Sequence, residues 1–258
     1  MLVKSDDALS PHKWVHTMAT KKFALSRSAL DQHIKCPRCF YMERKLKLKA
    51  HRMVPLTLAV AVDALLKNEF DAVRESGQSH PIWEREGLNV RAFQHDMMDT
   101  WRSNFKGVRI TDPATGIEVY GAVDDIWQNQ DTKELHVVDY KSTSKQDEPT
   151  IEGGFGDSYK RQMEIYQWLL RQSGHKVSNE GYFLYANGRK DRLFYNPEGD
   201  GTMAFNTTLI KYVGDDSWVG PAVDAALACY GGDELPAASN GCDSCTYFYD
   251  RLRLGLDN

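Results

Sequence analysis

Gly121-Ala122-Val123-Asp124-Asp125-Ile126-Trp127, followed after a short turn by Val137-Val138-Asp139-Tyr140-Lys141, carries most of what this sequence says. Both runs read as strands, and Gln128-Asn129-Gln130-Asp131 between them reads as a hairpin turn. Asp139 and Lys141 are two residues apart, so their side chains leave the same face of the second strand. A carboxylate and an ammonium on an otherwise apolar strand are costly unless something uses the charges. A divalent ion and a phosphate would use them: hard Mg2+ takes carboxylate oxygens, and an ammonium orients or activates a water. The plain alternative is a surface Asp–Lys pair closing a hairpin.

Working outward, Gly153-Gly154-Phe155-Gly156 loops into a helical stretch at 159–170, which Gly174 ends. Gln162 and Tyr166 are four apart there and share one helix face. Beyond it, strands are expected at 181–186 and 191–195 around Asn187-Gly188, a type I′ turn signal. A strand near 203–213 and a helix at 217–230 follow. Upstream, Ser28 reads as the N-cap of a helix that breaks at Pro37, between Cys36 and Cys39. A second helix spans 57–75, with Leu58, Val62, Leu65, Leu66 and Phe70 as its apolar stripe and Asp63 beside it. A helical segment is expected at 90–106, then strands at 108–111, 116–127 and 134–143. Residues 1–22 read as an irregular N-terminal arm and 23–258 as the folded domain. The order of elements gives an α/β fold, a central mixed β-sheet flanked by helices.

Gly-x-x-Asp (Gly121 to Asp124), Asp-x-Lys (Asp139 to Lys141) and Gln-x-x-x-Tyr (Gln162 to Tyr166), in this order, resemble the RecB-type branch of the PD-(D/E)xK nuclease superfamily. Its relatives include the CRISPR-associated adaptation nucleases and AddB nuclease domains. The resemblance covers roughly residues 24–250. Each motif is weak alone; order and spacing together carry the specificity.

The resemblance implies a single restriction-endonuclease-like domain and Mg2+-dependent (or Mn2+-dependent) hydrolysis of DNA phosphodiesters. An exonuclease-like action in repair, recombination or defence goes with it, on single-stranded DNA or duplex ends. Strand periodicity leaves Asp124 and Asp125 undecided as the metal ligand, and the family pattern selects Asp124. Asp139 and the peptide carbonyl of Tyr140 complete the implied metal set. Lys141 would stabilise developing negative charge or, with a lowered pKa, help deprotonate the attacking water. Gln162 and Tyr166 would brace the site and touch the DNA backbone; their plain reading is an ordinary amphipathic helix. Where relatives usually place a histidine ligand on the early helix, this chain has Asp63. Aspartate is an acceptable oxygen ligand for Mg2+, and a helix-surface acid is the equal alternative. A catalytically inactive DNA-binding or scaffold protein of the same fold is the rival from another class.

The chain has 258 residues with 41% hydrophobic and 26% charged content, the balance of an ordinary globular protein. Its formal net charge of −4 argues against a protein that coats nucleic acid. Phosphate contacts are left to local clusters: Arg44, Lys45, Lys47, Lys49, His51 and Arg52, with Lys160 and Arg161 as a second patch. No apolar run approaches the ~20 residues that span a bilayer, and the N-terminus lacks a secretory apolar region. A cytoplasmic location, without a membrane partner, is the expectation. No nucleophile elbow, Walker A loop, zincin helix motif or dinucleotide-binding glycine pattern occurs.

Four of the five cysteines form two equal pairs, Cys36-Pro37-Arg38-Cys39 and Cys242-Asp243-Ser244-Cys245. In a cytosolic chain such pairs mean a thiolate metal site rather than disulfides. The site would tie the N-terminal helix to the C-terminal tail across a long loop. Composition alone favours Zn2+. The resemblance implies a [4Fe–4S] cluster instead, although relatives contribute one early and three late cysteines where this chain splits two and two. Iron–sulfur is slightly favoured, with Zn2+ the alternative. Cys229 reads as a spectator on an amphipathic helix.

Overall fold

A computed structural model describes residues 23–48 and 56–255. The arm at 1–22 and three members of the first basic cluster, Lys49, His51 and Arg52, lie outside the described residues. Strand β1 (Ala24–Ser26) leads into helix α1 (Arg27–Lys35), and Ser26 caps that helix by accepting the Ala29 N–H. The cap therefore falls two residues before the expected Ser28. Cys36 ends α1, and Pro37 opens α2 (Pro37–Arg44) at the position where a missing N–H costs nothing.

α3 (Thr57–Ser76) closes on Gly77 in the left-handed conformation. Next come α4 (Pro81–Arg85), β2 (Val90–Ala92), α5 (Met98–Trp101), β3 (Val108–Thr111) and β4 (Glu118–Gly121). β5 (Asp125–Asn129) and β6 (Leu135–Thr143) form the hairpin read from the sequence. α6 (Gly156–Gln172), β7 (Glu180–Gly188), β8 (Phe205–Val213), α7 (Val219–Gly231) and α8 (Asp243–Arg253) complete the described chain.

The strands form two sheets, β1-β4-β3 and β2-β5-β6-β7-β8. Only β1 with β4 and β6 with β7 run parallel. The parallel β6/β7 pair needs a crossover, and α6 supplies it, packing on β3, β4 and β6. The larger core lies between the sheets and α1, α6 and α7, and includes Val137, Ile126, Met163, Leu169 and Val223. A second cluster, Phe70, Trp83, Trp127, Val138, Tyr140 and Tyr182, fills the other face under α3. Alternation along β6 thus puts Val137 on the α6 side and Val138 and Tyr140 on the α3 side.

Three expected elements differ. The segment 90–106 is β2 plus α5, because its apolar residues serve two clusters: Val90 and Ala92 lie under α3, and Met98 and Trp101 join the larger core. The strand expected at 116–127 is two strands in different sheets, separated by 122–124. Asn187-Gly188 is not a turn but the end of β7, paired in register with Asn206 and Phe205. The Asn187 amide accepts the Lys145 N–H at 2.9 Å and donates to the Lys145 carbonyl at 3.1 Å, so its polar groups are satisfied in the strand. Residues 189–204 make the connection instead, with an isolated bridge between Tyr195 and Gly201 in place of a strand at 191–195.

Candidate active site

The interruption between β4 and β5 positions the first acid. Asp125 begins β5 and shares the α3 face with Trp127, where it is fully buried. It accepts the Tyr140 hydroxyl at 2.8 Å and pairs with Arg74 and with Arg102, the latter at 3.0 Å. Both arginines also bind Asp71. Burial and the Asp125 charge push the Tyr140 hydroxyl far up, so it stays a donor. Asp125 is a structural salt-bridge partner.

Asp124, one residue earlier, lies outside the ladder and fills the gap where β5 pairing stops. It accepts the Tyr140 N–H at 2.9 Å. The N–H and C=O of one strand residue leave by the same edge, so the Tyr140 carbonyl faces the Asp124 side too. Asp139 and Lys141 extend from β6 toward α6. Asp139 is fully buried, Lys141 pairs with its Oδ2, and Gln162 donates to its Oδ1 at 2.8 Å. Gln162 also donates to the Tyr166 hydroxyl at 3.1 Å. The helix spacing of Gln162 and Tyr166 therefore becomes a chain of contacts ending on Asp139.

Gly121 explains the first residue of the Gly-x-x-Asp string. A Cβ there would sit 2.7 Å from Cε1 of Tyr166, so glycine lets the tyrosine ring lie against β4 and bring its hydroxyl to Gln162. Burial raises the Tyr166 pKa as well, keeping the hydroxyl protonated.

Charge is crowded here. Burial, followed by the Asp139 charge, pushes Asp124 up to about 7, against the pull of Lys141 and Lys67. Burial would lower the Lys141 pKa, but the Asp139 and Asp124 charges outweigh it and raise it. The ammonium is thus held protonated, which favours charge stabilisation over the general-base role. Its Nζ also lies 4.5 Å from the centre of the Tyr159 ring.

Asp63 stands at the edge of this group. Lys67, four residues on in α3, donates to Asp63 at 2.8 Å and lies 3.8 Å from Asp124. Sequence reasoning missed Lys67, although the i, i+4 spacing from Asp63 was its signal. Arg27 was missed as well. Burial works against its guanidinium charge, but the electrostatic influence of Tyr166 and the Asp139 charge outweigh it and raise its pKa. Nothing in the local pattern marked Arg27, because its partner is far along the chain.

The described members of the basic clusters have partners within the chain. Arg161 pairs with buried Asp31 at 2.8 Å, tying α6 to α1; Lys160 pairs with Glu152, and Lys45 with Asp233. Arg44 donates to Gln32, and Lys47 to the Arg44 carbonyl.

A family model described as the PD-(D/E)XK nuclease superfamily matches residues 24–248. The chain belongs to that superfamily. Among curated proteins, none matches the chain at a significant level. For a member of this superfamily, two carboxylates and a lysine meeting where β5 stops pairing with β6, in the interior of the sheet, form an expected centre for a divalent ion. Asp139 Oδ2, buried, paired with Lys141 and without a hydrogen bond among the described residues, and Asp124, repelled by Asp139, are donors whose chemistry fits such an ion.

A second group of side chains that could hold a metal joins the N-terminal helices of this PD-(D/E)XK protein to α8. Cys36, Cys39, Cys242 and Cys245 place their sulfurs all within 4.8 Å of one another. Cys39 lies 3.5 Å from Cys242 and 3.6 Å from Cys245, and Cys36 lies 3.8 Å from Cys245. The Ser239 N–H points at the Cys36 sulfur. Such donors lower the Cys36 pKa to about 6 against the effect of burial, whereas burial and the other thiols push Cys245 up to about 11. Cys229 lies outside the group, on α7, with its sulfur 3.9 Å from the Pro37 carbonyl. Among the described residues, no helix is long and apolar enough to cross a membrane.

Proposed function

We propose that the chain is a divalent-metal-dependent deoxyribonuclease of the RecB type, exonuclease-like, acting in repair, recombination or defence. The observation that carries this reading is the convergence of Asp124, Asp139 and protonated Lys141 around the Tyr140 peptide. Asp124, Asp139 and the Tyr140 carbonyl would hold Mg2+ or Mn2+, with Asp63 reaching it through a water or by displacing Lys67. When bound, the ion supplies charge neutralisation at the phosphate and a more acidic water. Lys141 places a positive charge beside the oxygen that becomes negative as the phosphodiester opens. Gln162 fixes Asp139 and is itself fixed by Tyr166. Tyr159 covers the lysine from the α6 side and limits its motion.

The test is incubation of the full chain with single- and double-stranded DNA, with Mg2+ or with chelator. Metal-dependent cleavage that disappears in both Asp139→Asn and Lys141→Ala, while their circular dichroism stays wild-type, supports the proposal. Undiminished cleavage by either variant removes it.

One observation favours the silent, DNA-binding reading. Lys67 already gives Asp63 and Asp124 a cationic partner, as an ion would. That reading predicts no Mg2+-dependent heat of binding and no cleavage, with DNA affinity retained.

For the four thiolates we propose a single Zn2+. Four sulfurs around one zinc at ~2.3 Å bonds stand about 3.8 Å apart; three of the separations here are 3.5 to 3.8 Å and all are within 4.8 Å, which supports that arrangement. A [4Fe–4S] cluster seats each thiolate on a different iron and spreads them farther. One zinc per chain in a colourless protein supports the single ion; a brown protein containing iron overturns it.

A further inference from the structure

The end of β6 that carries Lys141 has a feature that the reaction centre does not use. β6 and β7 run parallel with Lys141 opposite Tyr185 and Thr143 opposite Asn187, so the segment 189–204 leaves the sheet at the Lys141 end. That segment reads Arg189-Lys190-Asp191-Arg192-Leu193-Phe194-Tyr195, cations followed directly by aromatics. It is anchored: Lys190 donates to the Ser144 carbonyl at 3.0 Å, and Thr202 donates to the Phe194 carbonyl at 2.7 Å. Its aromatic rings nonetheless face outward, with Phe194 67% and Tyr195 68% exposed and their rings at 82° to each other. At the start of α6, Phe155 is 76% exposed and stacks on Tyr159, whose ring covers Lys141.

A lone exposed aromatic is ordinary, whereas exposed aromatics grouped with cations mark a surface that meets a partner. Here Phe155 stands beside the ring that covers Lys141, and Phe194 and Tyr195, with Lys190 and Arg192, belong to the segment that leaves the sheet at the same end. Every base has a face that stacks, and phosphates of an extended strand meet cations, so this pattern fits unpaired nucleotides. A duplex keeps its bases stacked on each other and gives such rings nothing to hold.

We propose that Phe155, Phe194 and Tyr195 form a stacking rim for single-stranded DNA, with Phe155 taking the base next to the phosphate held at Lys141. The proposal rests on the nuclease reading for the position of that phosphate, but not for the binding itself.

The experiment is fluorescence anisotropy of labelled oligothymidylate, and of a duplex of equal length, on the full chain with chelator present, so that nothing is cleaved. Phe155→Ala is expected to weaken single-strand binding ~5- to 150-fold, the range for loss of one stacked base, and the double variant Phe194→Ala/Tyr195→Ala by at least as much. Phe155→Trp should retain it. Duplex affinity should stay within about twofold; bis(p-nitrophenyl) phosphate, whose own aromatic rings can stack, serves only to report phosphodiester hydrolysis by the wild-type protein. Unchanged oligothymidylate binding in both alanine variants, or equal losses on the duplex, overturns the rim. Wild-type protein that hydrolyses neither DNA nor the small diester would refute the nuclease reading alone, since the binding comparison is made without turnover.

Discussion

Asp124 and Asp125 are neighbours in the chain, yet one accepts the Tyr140 N–H and the other the Tyr140 hydroxyl. A single residue of β6 therefore separates an acid available to a substrate from an acid consumed by Arg74 and Arg102. The two should respond oppositely to substitution.

Asp125→Ala leaves two arginines, each at least nine-tenths buried, short of their main counter-charge. Removing one partner of a buried ion pair costs ~3–5 kcal/mol. Denaturant unfolding should show that loss, whereas Asp124→Asn should keep wild-type stability or better at neutral pH while cleaving no DNA. Similar stabilities for the two variants would contradict the division.

The pH dependence of the metal-free protein follows from Asp124. Its carboxyl is raised to about 7 in the fold by burial and by Asp139, while in the unfolded chain it titrates near the ordinary aspartate value. The folded state then holds the proton more tightly, so this contribution is complete at low pH and disappears as pH climbs toward the folded value. Between about pH 4 and pH 7, wild-type stability should fall relative to Asp124→Asn, by at most ~1.4 kcal/mol per pH unit. Thermal melts of both proteins across that range check it; parallel curves would count against it.

Gly121→Ala puts a methyl group into the Tyr166 ring. Overpacking of this kind costs ~1–3 kcal/mol, and the ring must shift away from Gln162. Cleavage should fall about tenfold or more at a temperature where the variant remains folded. The same substitution with no kinetic effect would mean that Tyr166 does not position Gln162.

Removing the thiolate-bound metal should loosen both chain ends together. Closing a loop of roughly 200 residues is worth about 5 kcal/mol on chain entropy alone. A strong chelator, or Cys36→Ser, should lower the melting temperature markedly and release zinc. A melting temperature indifferent to chelator would show that the tetrad holds nothing structural.

The hairpin of β5 and β6, the α6 helix and the pairing of the two Cys-x-x-Cys units were legible because each has a local signature: period-two alternation, i, i+4 spacing, a repeated motif. What escaped depends on distant partners. Asn187-Gly188 has the residues of a turn, but Lys145, 42 positions away, satisfies the asparagine in a strand. The break at 122–124 appears only when β4 and β5 join different sheets. α3 shows the same limit. Leu58 and Leu65 fit its apolar stripe yet are exposed, and the face turned to the sheet instead carries Asp63, Lys67, Phe70 and Arg74. Lys67 and Arg74 are the helix's contribution to both acids, and only the fold shows where they point.

The tetrad also has a bearing on biosynthesis. Cys39 and Cys242 are 203 positions apart, so at 5–20 residues per second a ribosome needs roughly 10–40 s to deliver the second pair after the first. Through that interval Cys36 and Cys39 emerge as a half-built chelate, open to a wrong ion or to an oxidant. With the proposed ion at the tetrad, maturation would be tied to the metal and redox state of the compartment at the moment translation ends, and a shortage of the ion would be felt in newly made copies before the existing pool.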